Sequence, residues 1–325
     1  MRRIGLPVVS LVLCALTANA GAQVSDAFPL RNHNSFLQIY GLPTFRTAEL
    51  VAPGGVDFDF SIEFANDMDD DSDEDEVIVI DGESRIITLS LRHRFGERFE
   101  FGIDIPHVDH SEGFLDSIIY DFHDLIGLSN STREGPNDEF HLYFEKGGEA
   151  LVEHTSPMSG IGDVQLTAAM KLGKATLRAG VKTPTGDPDK LTGSGATDVS
   201  LGIYGGGATT LFDRELSYSG FGGILALGDG DVLPELQESV VPYGGVAFRW
   251  RATERFSLAT QFYAQGPYFD TVLDEIGSST LQLSFGADYR FPDQRLLLRF
   301  VIAEDVAAGA APDFAGQLSI RRYTR

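Results

Sequence analysis

Val56 to Phe64 reads Val-Asp-Phe-Asp-Phe-Ser-Ile-Glu-Phe, a pattern that few architectures accommodate. On an extended chain Val56, Phe58, Phe60, Ile62 and Phe64 project to one side, and Asp57, Asp59, Ser61 and Glu63 to the other, because strand side chains alternate. A soluble sandwich would bury the apolar side against a second sheet. A membrane barrel would turn that side to lipid and line its lumen with the charges. The rest of the chain decides between the two.

Met1 to about Ala22 reads as an export signal: Arg2 and Arg3 precede an apolar run from Leu6 to Leu16, and small residues follow at Ala18, Ala20 and Ala22. That run is too short for an ordinary spanning helix, and no later segment approaches the roughly 20 apolar residues one needs. Cys14 is the only cysteine, so the exported chain has no disulfide and must be held by a large core or by sheet closure. Loss of Arg2 and Arg3 takes the formal charge from −23 to −25, which excludes nucleic acid as a partner. So acidic a chain suits divalent cations or cation-bridged lipopolysaccharide.

Residues 23–55 precede the first clear strand and hold the apolar pieces Phe28-Pro-Leu-Arg-Asn and Leu37-Gln-Ile-Tyr-Gly-Leu-Pro. They are expected either to plug a lumen or to rest on a barrel rim in the periplasm. From residue 56 to residue 325 alternating segments recur. An acidic run expected to be solvated, Asp67 to Glu76, leads to Val77-Ile-Val-Ile and an Asp81-Gly82 turn. A hairpin about Gly96 follows, with Ile87, Leu89 and Leu91 on one strand and Phe99, Phe101, Ile103 and Ile105 on the other. Residues 106–162 form one long interruption, with an amphipathic helix predicted over Phe114 to Leu125 and a small hairpin about Gly147-Gly148. Regular strands resume at Asp163 and continue to Tyr323.

The total is about twelve antiparallel strands of the length a tilted membrane strand requires. Tight connections near Gly96, Gly173, Asp213, Thr253 and Asp293 alternate with longer ones, as short periplasmic turns alternate with long extracellular loops. No mid-strand apolar position carries a charge, and Phe95, Phe99, Phe212, Trp250, Phe256, Tyr289 and Phe291 gather beside the tight turns as an interfacial girdle would. The expectation is an all-β transmembrane barrel with a polar lumen in the outer membrane. The Gly-rich segment Leu216 to Leu227 gives no outward parity.

The polar parity predicts the charges of the lumen. Asp57, Asp59, Glu63, Glu100 and Asp104 flank Arg92 and Arg94, so cross-strand ion pairs are expected there. Elsewhere Lys171, Arg178, Lys182, Arg249 and Arg299 face Asp198 and Asp288, an apparent basic surplus. Twelve strands lie between a filled barrel and an open porin, which suggests a narrow or plugged bore.

Several runs resemble an uncharacterised family of outer-membrane β-barrel proteins of Gram-negative bacteria, known only as a domain of unknown function. They are the two pieces quoted from residues 28–43, Gly113-Phe-Leu-Asp, His123-Asp-Leu, Lys182-Thr-Pro-Thr-Gly-Asp to Asp198, Leu227-Gly-Asp-Gly and Glu304-Asp305. The resemblance implies a barrel over nearly the whole chain and no activity. The loop at Pro184 is also similar to loops in outer-membrane proteins associated with uptake of aromatic hydrocarbons.

Three functions follow in order. The first is a narrow or gated channel for a small solute. The second is an envelope-structural or interaction protein whose acidic loops bind lipopolysaccharide or a partner. The third is a surface hydrolase built on His107, Asp109, His110, Asp116, His123 and Asp124. That cluster lacks a zinc spacing, and Pro184-Thr-Gly-Asp with Gly193-Ser-Gly lacks the helix and Lys of a nucleotide loop. No catalytic residue or resident metal is therefore expected; divalent cations at the acidic loops are the one candidate cofactor.

Overall fold

The computed structural model describes residues 27–115, 139–291, 295–306 and 309–322. The segment expected to be an export signal lies outside these residues, as does nearly all of the helix expected from Phe114. The strands are β1 (Val56–Ser72), β2 (Glu76–Phe95), β3 (Phe99–Ser111), β4 (His141–Lys146), β5 (Glu149–His154), β6 (Met158–Ile161), β7 (Gln165–Leu172) and β8 (Ala175–Lys182). They continue with β9 (Asp198–Leu211), β10 (Arg214–Ala226), β11 (Val240–Trp250), β12 (Phe256–Gln265), β13 (Thr280–Phe291), β14 (Leu296–Asp305) and β15 (Phe314–Arg322).

Twelve of them form a closed antiparallel ring, β1-β2-β3-β7 and onward in chain order to β15, which returns to β1. Closure is made in the register Phe58↔Arg322 to Asn66↔Phe314. Closure leaves the ring with no free edge. The remaining three strands stand beyond it, with β4 and β5 added to the far half of β2, and β6 added to the far half of β3.

Alternation holds around the wall, and its sense is that of a membrane barrel. Phe58, Leu201, Ile203, Phe285 and Phe300 lie outward at 45 to 56% exposure, whereas Asp57, Glu63, Arg92, Asp288 and Arg299 face inward and are buried. Water would expel such an apolar exterior; hydrocarbon stabilises it. Phe95, Phe99, Phe212, Phe256 and Tyr289 are exposed around the end that carries the tight turns. Val56 and Arg322 lie at that same end.

Two expectations about β1 and β2 are corrected. Strand β1 runs on through Ser72, and Asp67 is buried rather than solvated; of the acidic residues in the run only Asp70, Asp73, Glu74 and Asp75 are exposed. Asp81-Gly82 is not a turn. Strand β2 passes straight through it, pairing with β4 up to Asp81 and with β3 from Glu83. Gly82 has φ +148, and a Cβ there would come within 2.7 Å of the Phe140 ring, so glycine allows the strand to change partners. At 17 and 20 residues β1 and β2 far exceed the roughly 9–11 that cross a bilayer. Their far halves form an arm above the mouth, where Ile78, Ile80, Leu142 and Phe144 are fully buried in the main core cluster.

Candidate functional site

The described part of the N-terminal segment, residues 27–55, lies inside the barrel. It enters at the turn end, where Phe28 and Gln261 exchange two hydrogen bonds, Phe28 N–H to Oε1 at 3.0 Å and Nε2 to Phe28 O at 3.2 Å. The ring of Phe28 sits between the guanidiniums of Arg249 and Arg299, 5.4 Å from each. The chain then rises to the mouth: Asn32 donates to Ala310 O, Asn34 Nδ2 to Glu275 O at 3.3 Å, and His33 Nε2 lies 2.5 Å from Glu63. One helical turn at residues 34–40 reverses it. On the way down Gly41 N–H donates to Asp198 and Tyr263 OH to Pro43 O, and Thr176 to Ala48 O. Val51 N–H reaches Glu100 at 2.7 Å just before β1 begins.

The lumen charges read from parity are largely the grips on this plug. Arg299 donates to Ala27 O, Lys182 to Ile39 O, Arg178 to Thr47 O and Glu49 O, Lys171 to Ala48 O, and Arg94 to Val51 O. The apparent basic surplus is met in this way, because a chain threaded through the lumen offers backbone carbonyls that strand-to-strand pairing leaves free. The expected cross-strand ion pairs are fewer than the parity suggested. Arg92 binds Asp104 through two short hydrogen bonds, at 2.6 and 2.8 Å. Glu100 instead pairs with Arg178 at 2.8 Å, Asp57 with Arg321, and Asp288 with both Arg249 and Arg299.

A second side of the lumen is aromatic. Tyr204, Phe221, Tyr243 and Tyr263 from β9 to β12 all point inward and are buried; Phe45 of the plug packs on Phe221 with ring centres 4.3 Å apart. Tyr40 stacks on Tyr268 at 5.1 Å nearer the mouth. The glycines of β9 to β11 thin the wall behind these rings: Gly202 and Gly223 lie against Tyr243, and Gly245 against Phe221.

A barrel with an apolar exterior and a lumen filled by its own leading segment places the protein in the outer membrane, with the turn end periplasmic. The model of a family described as protein of unknown function (DUF3187) matches residues 4–323. The chain belongs to that family. No curated protein matches it. Among solved structures it is similar to the COG4313 outer membrane channel from Pseudomonas putida F1, at 15% identity and TM-score 0.53, over 85% of this chain and 98% of that one. Looser likenesses include the translocator domain of the autotransporter NalP from Neisseria meningitidis, at 11% identity and TM-score 0.42, over 86% and 91% of the two chains. The P. putida toluene transporter TodX overlays at 10% identity and TM-score 0.39, over 84% and 91%. At these identities the likeness shows the fold alone.

The DUF3187 chain does not bring the described members of the loop cluster together. His107 is exposed on the outward side of β3, and Asp109 pairs with Arg85 at 3.1 Å; His110 points into the lumen, fully buried. His110 Nδ1 lies 2.9 Å from Ser84 Oγ and its Nε2 3.1 Å from Leu191 O, in a network that Gln38 of the plug joins. Asp116, His123 and Asp124 lie outside the described residues. Among the described residues no three His, Cys, Asp or Glu side chains converge on a metal position.

Parity reasoning on charges missed His33, Arg46, Arg321 and the aromatic wall. The wall had a usable signal: Tyr204 shares the parity of Asp198 along β9, and Tyr243 that of Arg249 along β11. The plug residues had none, since a segment without regular structure has no period to read.

Proposed function

We infer that this protein is a gated channel for a small solute, closed by its own residues 27–55. One observation carries this reading: the segment traverses the lumen from the periplasmic end to the mouth and back, held by polar side chains of the wall. Its polar contacts are individually exchangeable for water, so a shift of the plug that leaves the barrel folded has mainly to overcome the burial of Phe36, Leu37, Tyr40 and Phe45 against the wall. Two different surfaces, one charged and one aromatic, face the space it occupies. The TodX and COG4313 likenesses are compatible with a transport role and name no solute for this chain.

The test is conductance in planar bilayers and solute-driven swelling of proteoliposomes, for the wild type and for a variant lacking residues 27–50. Large, sustained conductance should appear on deletion. A deleted barrel that keeps its heat-modifiable gel mobility yet passes neither ions nor solute would overturn the reading.

A further inference from the structure

The plug is held in two different ways along its length. Residues 32–38, near the mouth, are held through their side chains: Asn32 and Asn34 donate to loop carbonyls, His33 meets Glu63, and Gln38 reaches Ser84 and His110. Residues 41–51, which cross the lumen back to the periplasmic end without regular structure, are gripped chiefly by their backbone. Asp198 accepts from Gly41 N–H, and Tyr263 donates to Pro43 O at 2.7 Å. Lower down Arg178 donates to Thr47 O and Glu49 O, each at 3.0 Å, and Lys171 and Thr176 to Ala48 O. Glu100 and Arg94 take the N–H and the carbonyl of Val51. The Glu49 carboxylate adds an ion pair with Lys171 at 2.9 Å, half exposed and therefore weak. Gly41, Pro43, Ala48 and Val51 carry no polar side chain, so at these positions the wall's polar groups meet peptide groups and are indifferent to sequence.

One side chain of this limb is matched closely. Phe45 is fully buried against Phe221, with ring centres 4.3 Å apart. Tyr204 stacks on the same Phe221 ring at 5.1 Å, and Tyr263 and Tyr243 stand 5.3 and 5.9 Å from it. The neighbours Thr44 and Arg46 instead border polar spaces of about 40 and 30 Å³, with room for ordered water, so the flanking positions are loosely matched. Main-chain hydrogen bonds for affinity, with a side-chain pocket for selectivity, are how peptides of varied sequence are recognised. A lone aromatic molecule would fill the pocket and leave Arg94, Lys171 and Arg178 without their carbonyls. A sugar would satisfy those donors and leave the pocket empty.

We propose that the solute of this lumen is an oligopeptide carrying an aromatic residue, and that residues 41–51 lie along its path as a built-in stand-in. The aromatic side chain takes the place of Phe45 on Phe221, and the peptide carbonyls below it take the donors that now hold Thr47, Ala48 and Glu49. The proposal rests on the channel reading and names its solute class. Because plug and peptide use the same groups, a peptide enters only as the descending limb yields.

Equilibrium dialysis of the detergent-purified full chain tests this with octapeptides of Gly, Ala, Ser and Thr that carry one Phe. Shuffling the residues around the Phe should change affinity by no more than about threefold, whereas replacing the Phe by Ala should weaken binding about tenfold or more. All these peptides compete with the same plug, so the ratio of their affinities does not depend on how tightly the plug holds. Phe221→Ala should therefore abolish most of the preference for Phe over Ala. In the wild type neither p-cresol nor maltotriose should displace a bound peptide. No peptide binding, displacement by p-cresol as effective as by peptide, strong dependence on the shuffled residues, or a Phe preference unchanged in folded Phe221→Ala would each overturn the proposal. Peptides bound yet never carried into proteoliposomes would sink the channel reading and leave the peptide site standing. Conductance on deletion of residues 27–50 with no peptide bound by the full chain would sink the peptide assignment alone.

Discussion

Gly41 donates its backbone N–H to Asp198 Oδ2 at 2.8 Å, which pins the apex of the plug to the inner face of β9. A Cβ at Gly41 would lie 3.0 Å from the Cβ of Asp198 and 3.1 Å from that of Lys182, tighter than ordinary packing. Gly41→Val should therefore lift the apex off the wall while leaving every strand residue unaltered. Open probability in planar bilayers should rise several-fold, with the barrel's gel mobility unchanged. An equally silent channel would show that this contact does not hold the gate.

Lys182 itself lies almost fully buried between two carboxylates, 2.6 Å from Asp163 and 3.2 Å from Asp198, and also donates to Ser194. Asp163 and Asp198 in turn accept backbone N–H groups from Gly186, Ser194, Gly41 and Gly228, so one ammonium joins two loops and the plug. Lys182→Met would leave both carboxylates buried without their cation. Breaking such a buried pair costs about 3–5 kcal/mol. The exposed Lys190–Asp187 pair, at 3.6 Å, should cost no more than about 1 kcal/mol when Lys190 is replaced by Met. Urea unfolding in lipid vesicles compares the two variants directly.

Much of this fold was legible because a lipid-facing strand carries its contrast in the residues themselves. Phe58, Phe60 and Ile62 against Asp57, Asp59 and Ser61 leave one outcome once the exterior is hydrocarbon. The contrast vanishes where both sides are apolar. In β10, Phe221 and Leu225 face the lumen while Tyr218 and Ile224 face lipid, so parity there cannot be chosen from residue type. Asp67 misled for a related reason: its burial comes from Ser35 of the plug and from β2, both distant in sequence. Among the site residues, the wall charges were readable as inward. Their partners were not, because most are backbone carbonyls of a segment whose path only the closed barrel defines.

The same alternation makes the outer face testable. Ile203 lies in the middle of β9, 49% exposed and flanked outward by Leu201. Ile203→Arg should cost about 2–4 kcal/mol, the range for a basic residue near the bilayer midplane. Tyr204→Phe, one position on but inside, removes only a hydroxyl and should cost less than half of that. If Ile203→Arg proved neutral in vesicle-based unfolding, the apolar side of β9 would not be facing lipid.

Glu275, in the short helix Asp274–Gly277 of the β12–β13 loop, lies against Asp71 near the tip of β1. Burial first, then the Asp71 and Asp274 carboxylates, push its carboxyl up to about 7 from the usual 4.5. The plug reaches the same place through Asn34, which donates to the Glu275 carbonyl. A carboxyl whose value is raised on folding favours the folded contact fully below about 4.5, and that contribution is lost as pH rises through about 7. At low pH a proton shared between Glu275 and Asp71 ties the loop to the β1 arm over the mouth; at high pH two like charges face each other and the tie weakens. Amide exchange over residues 271–279, corrected for intrinsic rates, should therefore be slower at pH 5.5 than at pH 8.5. Glu275→Gln, neutral throughout, should abolish most of that difference and hold the loop in its slow-exchanging state. A pH difference that survives unchanged in Glu275→Gln would place the titrating group elsewhere.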